Sequence, residues 1–148
     1  MSDLDLVKKL IAAEVGLATI SVTRDDGSVQ SSLVNAGLLE HPVSGAPVIG
    51  TVVRDGAVKL RMLRKRPRAT VLWRDGWKWV TAEGPVDLIG PSDPYDGFDQ
   101  ADLPTLLRVV YQGCGGSHDD WDEYDRVMAA EGRTAVLVSA DRIYSNRR

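Results

Sequence analysis

A chain of 148 residues has the length of one domain, which can bury roughly 68–70% of its unfolded surface. Its 43% hydrophobic and 26% charged residues are ordinary for a globular protein, and no apolar run approaches the roughly 20 residues that cross a bilayer. The net charge of −3 argues against general coating of nucleic acid, where phosphate neutralisation supplies most of the affinity.

Ser2 reads as a helix N-cap, and Leu4, Val7, Leu10, Ile11 and Val15 recur at helical spacing until Gly16. This acidic, then amphipathic start is not a secretory signal. LATISVTR, the turn DDGS and VQSSLVNAGLL predict a β-hairpin. After the loop EHPVSGA comes an apolar strand, PVIGTVV. Asp55 is placed to cap a helix with Ala57, Leu60, Met62 and Leu63 along one side, stopped near Pro67. RATVLWRD and GWKWVTAEGPVDLI form a second strand pair around another DG turn. GPSDPYDGFD is turn-rich, LPTLLRVVYQG and DDWDEYDRVMAAEG are helical, and TAVLVSADRIYS closes as a strand. About six strands with a βαβ-like connection and peripheral helices predict a single mainly-β domain, a small closed barrel spanning residues 1–148.

Charge is unevenly spread. Six of the 18 Lys and Arg residues, Lys59, Arg61, Arg64, Lys65, Arg66 and Arg68, fall within ten positions. Such runs are usually solvated faces. Here the run opens a helix that follows a buried-type strand, where backbone amides and the helix dipole favour anions. Lys59 and Arg61 lie in its first turns, and Arg grips phosphate bidentately. In WKWVT, Trp77 and Trp79 alternate onto one face, as core or as the wall of a cleft for a flat ring.

Other chemistry has little support in the residues. His41 and His118 lack zinc spacing, and Cys114 lacks the strand–turn–helix context of a nucleophile. A single cysteine excludes an intramolecular disulfide and fits a reducing cytoplasm, the expected location. In HDDWDEYD the acids suit a helix start, with Trp121, Tyr124 and Met128 as its buried side. Phosphate-loop and GxGxxG patterns are absent.

The segment GTVVRDGAVKLRMLRKRPRATVLWRDGWKWVTAEGPVDLIG resembles the flavin and deazaflavin split β-barrel superfamily related to pyridoxamine-phosphate oxidase. The resemblance rests on Lys59, Leu63, Pro67, Glu83, Gly84 and Leu88, with VQSSLVNAG and GRTAVLVSADRIYS flanking them. Met62 departs from it, standing where the family often has Asn. The match is best to the branch that uses the deazaflavin coenzyme F-420. It implies a split barrel and a reductase that moves a hydride from the reduced cofactor to a small unsaturated or aromatic substrate. It also implies a homodimer with cofactor sites shared between subunits; the net charge and the lack of a long apolar run predict no nucleic-acid or membrane partner. By the same resemblance Thr51, Lys59 and Arg61 meet the cofactor phosphate. Ser32, Val34 and Asn35 run along the ring, Trp77 or Trp79 flanks it, and Arg64, Lys65, Arg66 and Arg68 are available to an oligoglutamate tail. No catalytic residue or metal ligand is assigned. FMN on the same barrel is the alternative cofactor, and a non-catalytic flavin carrier the alternative role.

Overall fold

The computed structural model describes residues 2–147. Helix α1, Asp3–Ala13, starts where Ser2 Oγ accepts from the Asp5 N–H while the Asp5 carboxylate accepts from the Ser2 N–H, a capping box. It buries Leu6, Val7, Leu10 and Ile11. Strands β1, Leu17–Thr23, and β2, Val29–Asn35, pair antiparallel. Gly27 at the tip takes φ 85°, a conformation that costs glycine little.

The run VQSSLVNAGLL is two strands rather than one. It breaks at Ala36, whose N–H donates to Gly16 O and whose carbonyl accepts from the Trp73 indole at 3.0 Å. Beyond it β3, Gly37–Glu40, leaves β1 and pairs with β4, Pro47–Val53. Glycine is required at 37 because a Cβ there would stand 2.0 Å from Gly113 O.

Helix α2 is Val58–Lys65. Asp55 does not cap it. The chain turns at Asp55–Gly56, Ala57 occupies the N-cap position, and no side chain bonds the first turn. Leu60, Met62 and Leu63 are buried, as the periodicity requires.

Strands β5, Arg68–Asp75, and β6, Lys78–Ile89, form the second hairpin. Helices α3, Leu103–Gly113, and α4, Trp121–Ala130, follow. The final apolar run splits into β7, Thr134–Val138, and β8, Arg142–Ser145. Both strands pair with the long β6. Gly84 lets the corner between them pack closely, since a Cβ at 84 would lie 1.9 Å from Ser139 O. Eight strands result, two more than the count from pattern.

All pairings between strands are antiparallel, in the order β2-β1-β5-β6-β7-β4-β3 with β8 beside β6. Two sheet neighbours, β6 and β7, separate β4 from β5, so α2 is not a βαβ crossover. Nor is the barrel closed: β2 and β4 are not paired. One core holds Ile20, Leu60, Leu63, Val71, Trp73 and Val80, and a second lies under α3 and α4 around Leu107, Val110 and Tyr124. No helix among the described residues is long and apolar enough to cross a membrane.

Candidate functional site

A cleft of about 580 Å³ opens where the barrel fails to close, between β2 and the β4–α2 arm. Its two lips are distant in sequence. Along β2, the bonds Arg24 N→Ser28 O and Ala36 N→Gly16 O bracket the ladder to β1. Antiparallel alternation then turns the N–H and C=O groups of Ser31, Leu33 and Asn35 to the free edge.

Lys59 crosses the gap. Its Nζ donates to Ser32 Oγ at 3.0 Å. Burial, and then the charges of Arg54 and Arg133, pull the Lys59 ammonium below the ordinary lysine range. Arg54 and Arg133 also line the cleft, and among the described residues no carboxylate does. Arg133 is held by Glu131 and by Val52 O, whereas Arg54 has no carboxylate partner among the described residues. Lys59 and Arg54, neither bonded to a carboxylate among the described residues, form an anion site beside the Glu131-paired Arg133. Thr51, buried in β4, adjoins it.

The rest of the cleft is apolar and aromatic. Val34, Val110, Tyr111, Cys114, Tyr124 and Met128 form its walls. The rings of Tyr111 and Tyr124 lie 5.2 Å apart, with Trp121 edge-on to both. Burial pushes the Cys114 thiol up to about 11 and, with Tyr111 second, the Tyr124 phenol up to about 12. Tyr124 Oη donates to Leu107 O and Cys114 Sγ to Val110 O, so neither is poised for proton transfer or attack.

Of the residues singled out in the sequence, Val34, Asn35, Thr51 and Lys59 line this cleft, and Ser32 holds Lys59. Arg61 is exposed on α2 outside the lining. Trp77 stands in the β5–β6 turn, 92% exposed, rather than in a strand. Trp79 is half-buried, edge-on to Tyr144 at 6.0 Å. Neither tryptophan lines the cleft of its own chain. The fully buried tryptophan is Trp73.

The rest of the basic block is already paired. Arg64 grips Asp93 through two bonds of 2.9 and 2.7 Å, and Arg68 grips Asp141 through two of 2.8 Å. Lys65 and Arg66 share Asp25.

Sequence reasoning missed Gln30, Arg54, Arg133 and Tyr111. Arg54 carried a signal, directly after GTVV and before the DG turn. Arg133 carried none, since only the Val53↔Thr134 register of β4 and β7 brings it near.

His41 proves structural. Its Nδ1 accepts from the N–H groups of Val43 and Ser44, and its Nε2 donates to Asp87 at 3.0 Å, fixing the β3–β4 loop. Among the described residues no group of three or more His, Cys, Asp or Glu is placed to hold a metal.

No protein-family model matches the chain, and no curated protein matches it in sequence. Solved structures do match in fold. A conserved hypothetical protein of Mycobacterium tuberculosis aligns over 98% of this chain and 84% of its own, at TM-score 0.71 and 18% identity. A pyridoxamine 5'-phosphate oxidase-related, FMN-binding protein of Nostoc punctiforme aligns over 96% and 80%, at TM-score 0.64 and 9% identity. An F-420 reductase aligns over 86% and 88%, at TM-score 0.57 and 12% identity. At these identities the likeness is one of fold: the chain is a split β-barrel of the kind found in pyridoxamine-phosphate-oxidase-like proteins.

Proposed function

We propose that the protein is an oxidoreductase that binds coenzyme F-420 in the cleft between β2 and the β4–α2 arm and reduces a small unsaturated or aromatic substrate. The observation that carries this reading is Lys59, set beside Arg54 and the Glu131-paired Arg133 in a cleft that no carboxylate among the described residues lines, next to an apolar wall able to take a ring. An anionic arm and a planar heterocycle are what a flavin or deazaflavin presents. The fold is shared with an FMN-binding protein and an F-420 reductase.

When bound, the reduced cofactor supplies the hydride. The chain's own residues bind and orient. Lys59, Arg54 and Thr51 hold the phosphate, and the free N–H and C=O groups of β2 meet polar ring atoms. Val34, Val110 and Tyr111 exclude water from the ring. No lining side chain is assigned as acid or base.

FMN remains the second reading, and a specific observation favours it. With Arg64, Lys65, Arg66 and Arg68 bonded to Asp93, Asp25 and Asp141, the block is not a free surface for an oligoglutamate tail.

A homodimer belongs to the proposal. Leu33, Thr19, Leu72, Thr81 and Tyr144 stand in one row across one face of five strands; Leu33 is 67% exposed, Tyr144 is exposed too, and Thr81 is already buried. Trp79 lies on this same face. A second copy covering it would remove Leu33 and Tyr144 from water.

Fluorescence titration of purified protein with F-420 and with FMN tests the reading. Saturable binding of F-420, tighter than FMN, followed by substrate-dependent cofactor oxidation, is expected. Binding of neither overturns it.

A further inference from the structure

We infer that Gln30 binds the part of the cofactor lying beyond its anionic group, so that the cleft suits a phosphodiester whose chain continues with an N–H donor rather than a terminal phosphate. This rests on the cofactor reading above. The cleft has a direction. Its apolar end adjoins the end of β2 at Asn35, where Gly16 bonds Ala36 and packs on Cys114. Lys59 marks the anion position at Ser32. Gln30 shares the face of Ser32, two residues further on, about 7 Å along the strand and away from the apolar end.

Gln30 lines the cleft, and its Oε1 is buried without a hydrogen-bond partner, the one such side-chain atom found among the described residues. A buried acceptor left unpaired is unfavourable, so the carboxamide gains by turning toward a donor brought into the cleft. FMN ends at its phosphate and brings no donor past it. F-420 continues through a phosphodiester into glutamyl amides, each with an N–H. The same geometry transfers recognition of the tail from the paired block Arg64–Arg68 to a neutral acceptor.

The experiment compares wild type with Gln30→Leu, and with Gln30→Ala, which adds no bulk. Each is titrated by fluorescence with FMN, with F-420, and with the deazaflavin lacking its glutamates. Loss of about five- to tenfold in F-420 affinity is expected, with FMN and the shortened species unchanged within about twofold. Retained FMN binding also shows that the variant cleft is formed. Equal weakening for all three ligands, or none for F-420, overturns the inference. Wild-type protein that binds FMN but not F-420 overturns it too, while leaving the flavin reading in place. Binding of neither removes both.

Discussion

Lys59 Nζ reaches Ser32 Oγ at 3.0 Å, and among the described residues this is the only side-chain hydrogen bond between β2 and the β4–α2 arm. A neutral hydroxyl is a weak partner for a desolvated ammonium, so Lys59 has capacity left for an anion. Lys59→Ala is expected to weaken cofactor binding roughly ten- to hundred-fold while the protein still melts cooperatively. Arg64→Ala is the control. It breaks the pair with Asp93, lowers stability, and leaves affinity unchanged. A titration in which the two variants behave alike refutes the assignment of Lys59.

Exposed Leu33 and Tyr144 on one sheet face give a second expectation. Wild-type protein is expected to run as a dimer in light scattering at micromolar concentration, and Leu33→Arg as a folded monomer. A wild-type monomer mass with cofactor present rules out a shared site.

Acid stability follows from the α3–α4 pair. Arg108 Nε donates to Asp125 at 2.9 Å, and the guanidinium lies 5.4 Å over the Trp121 ring. Hydrogen bonds from Arg108 hold the Asp125 carboxyl below the usual carboxylate range. A carboxyl depressed in the folded state contributes stability that is complete above its unfolded pKa, about 3.9, and is lost as pH falls through the lower folded value. Melting temperature is therefore expected to drop below about pH 4, with a shallower drop in Asp125→Asn. Identical profiles in the two proteins count against the pair.

Where β3 meets α3, Gly37 has no room for a side chain. Gly37→Ala forces its Cβ or the Gly113 carbonyl to move, and about 1–3 kcal/mol of destabilisation is expected in denaturant unfolding. A variant as stable as wild type shows that the helix end yields freely.

Local features were legible in the sequence. The N-cap at Ser2, both hairpin DG turns and the apolar side of α2 depend on residues within a few positions of one another. The break at Ala36 was not, because it answers to Gly16, Trp73 and Gly113, which are remote in the chain. The basic block shows the same limit. Its positive charge was plain, but its carboxylate partners lie 29 to 73 residues away and only folding brings them close. At the site, Lys59 stood out in the basic run that opens α2, and Thr51 and Asn35 were found through resemblance, whereas Arg133 needed the register of β4 on β7.

The missing pairing between β2 and β4 ties the sheet's cohesion to whatever fills the gap. Free amides at Ser31, Leu33 and Asn35 have no ladder partner on that edge, so they exchange readily with deuterium in the empty protein. A molecule lodged there binds only the native form and raises the melting temperature by mass action, whatever reaction it takes part in. Candidate cofactors can thus be ranked by thermal shift before any substrate is known, and protection confined to one edge of β2 reports that the bound molecule lies in the seam.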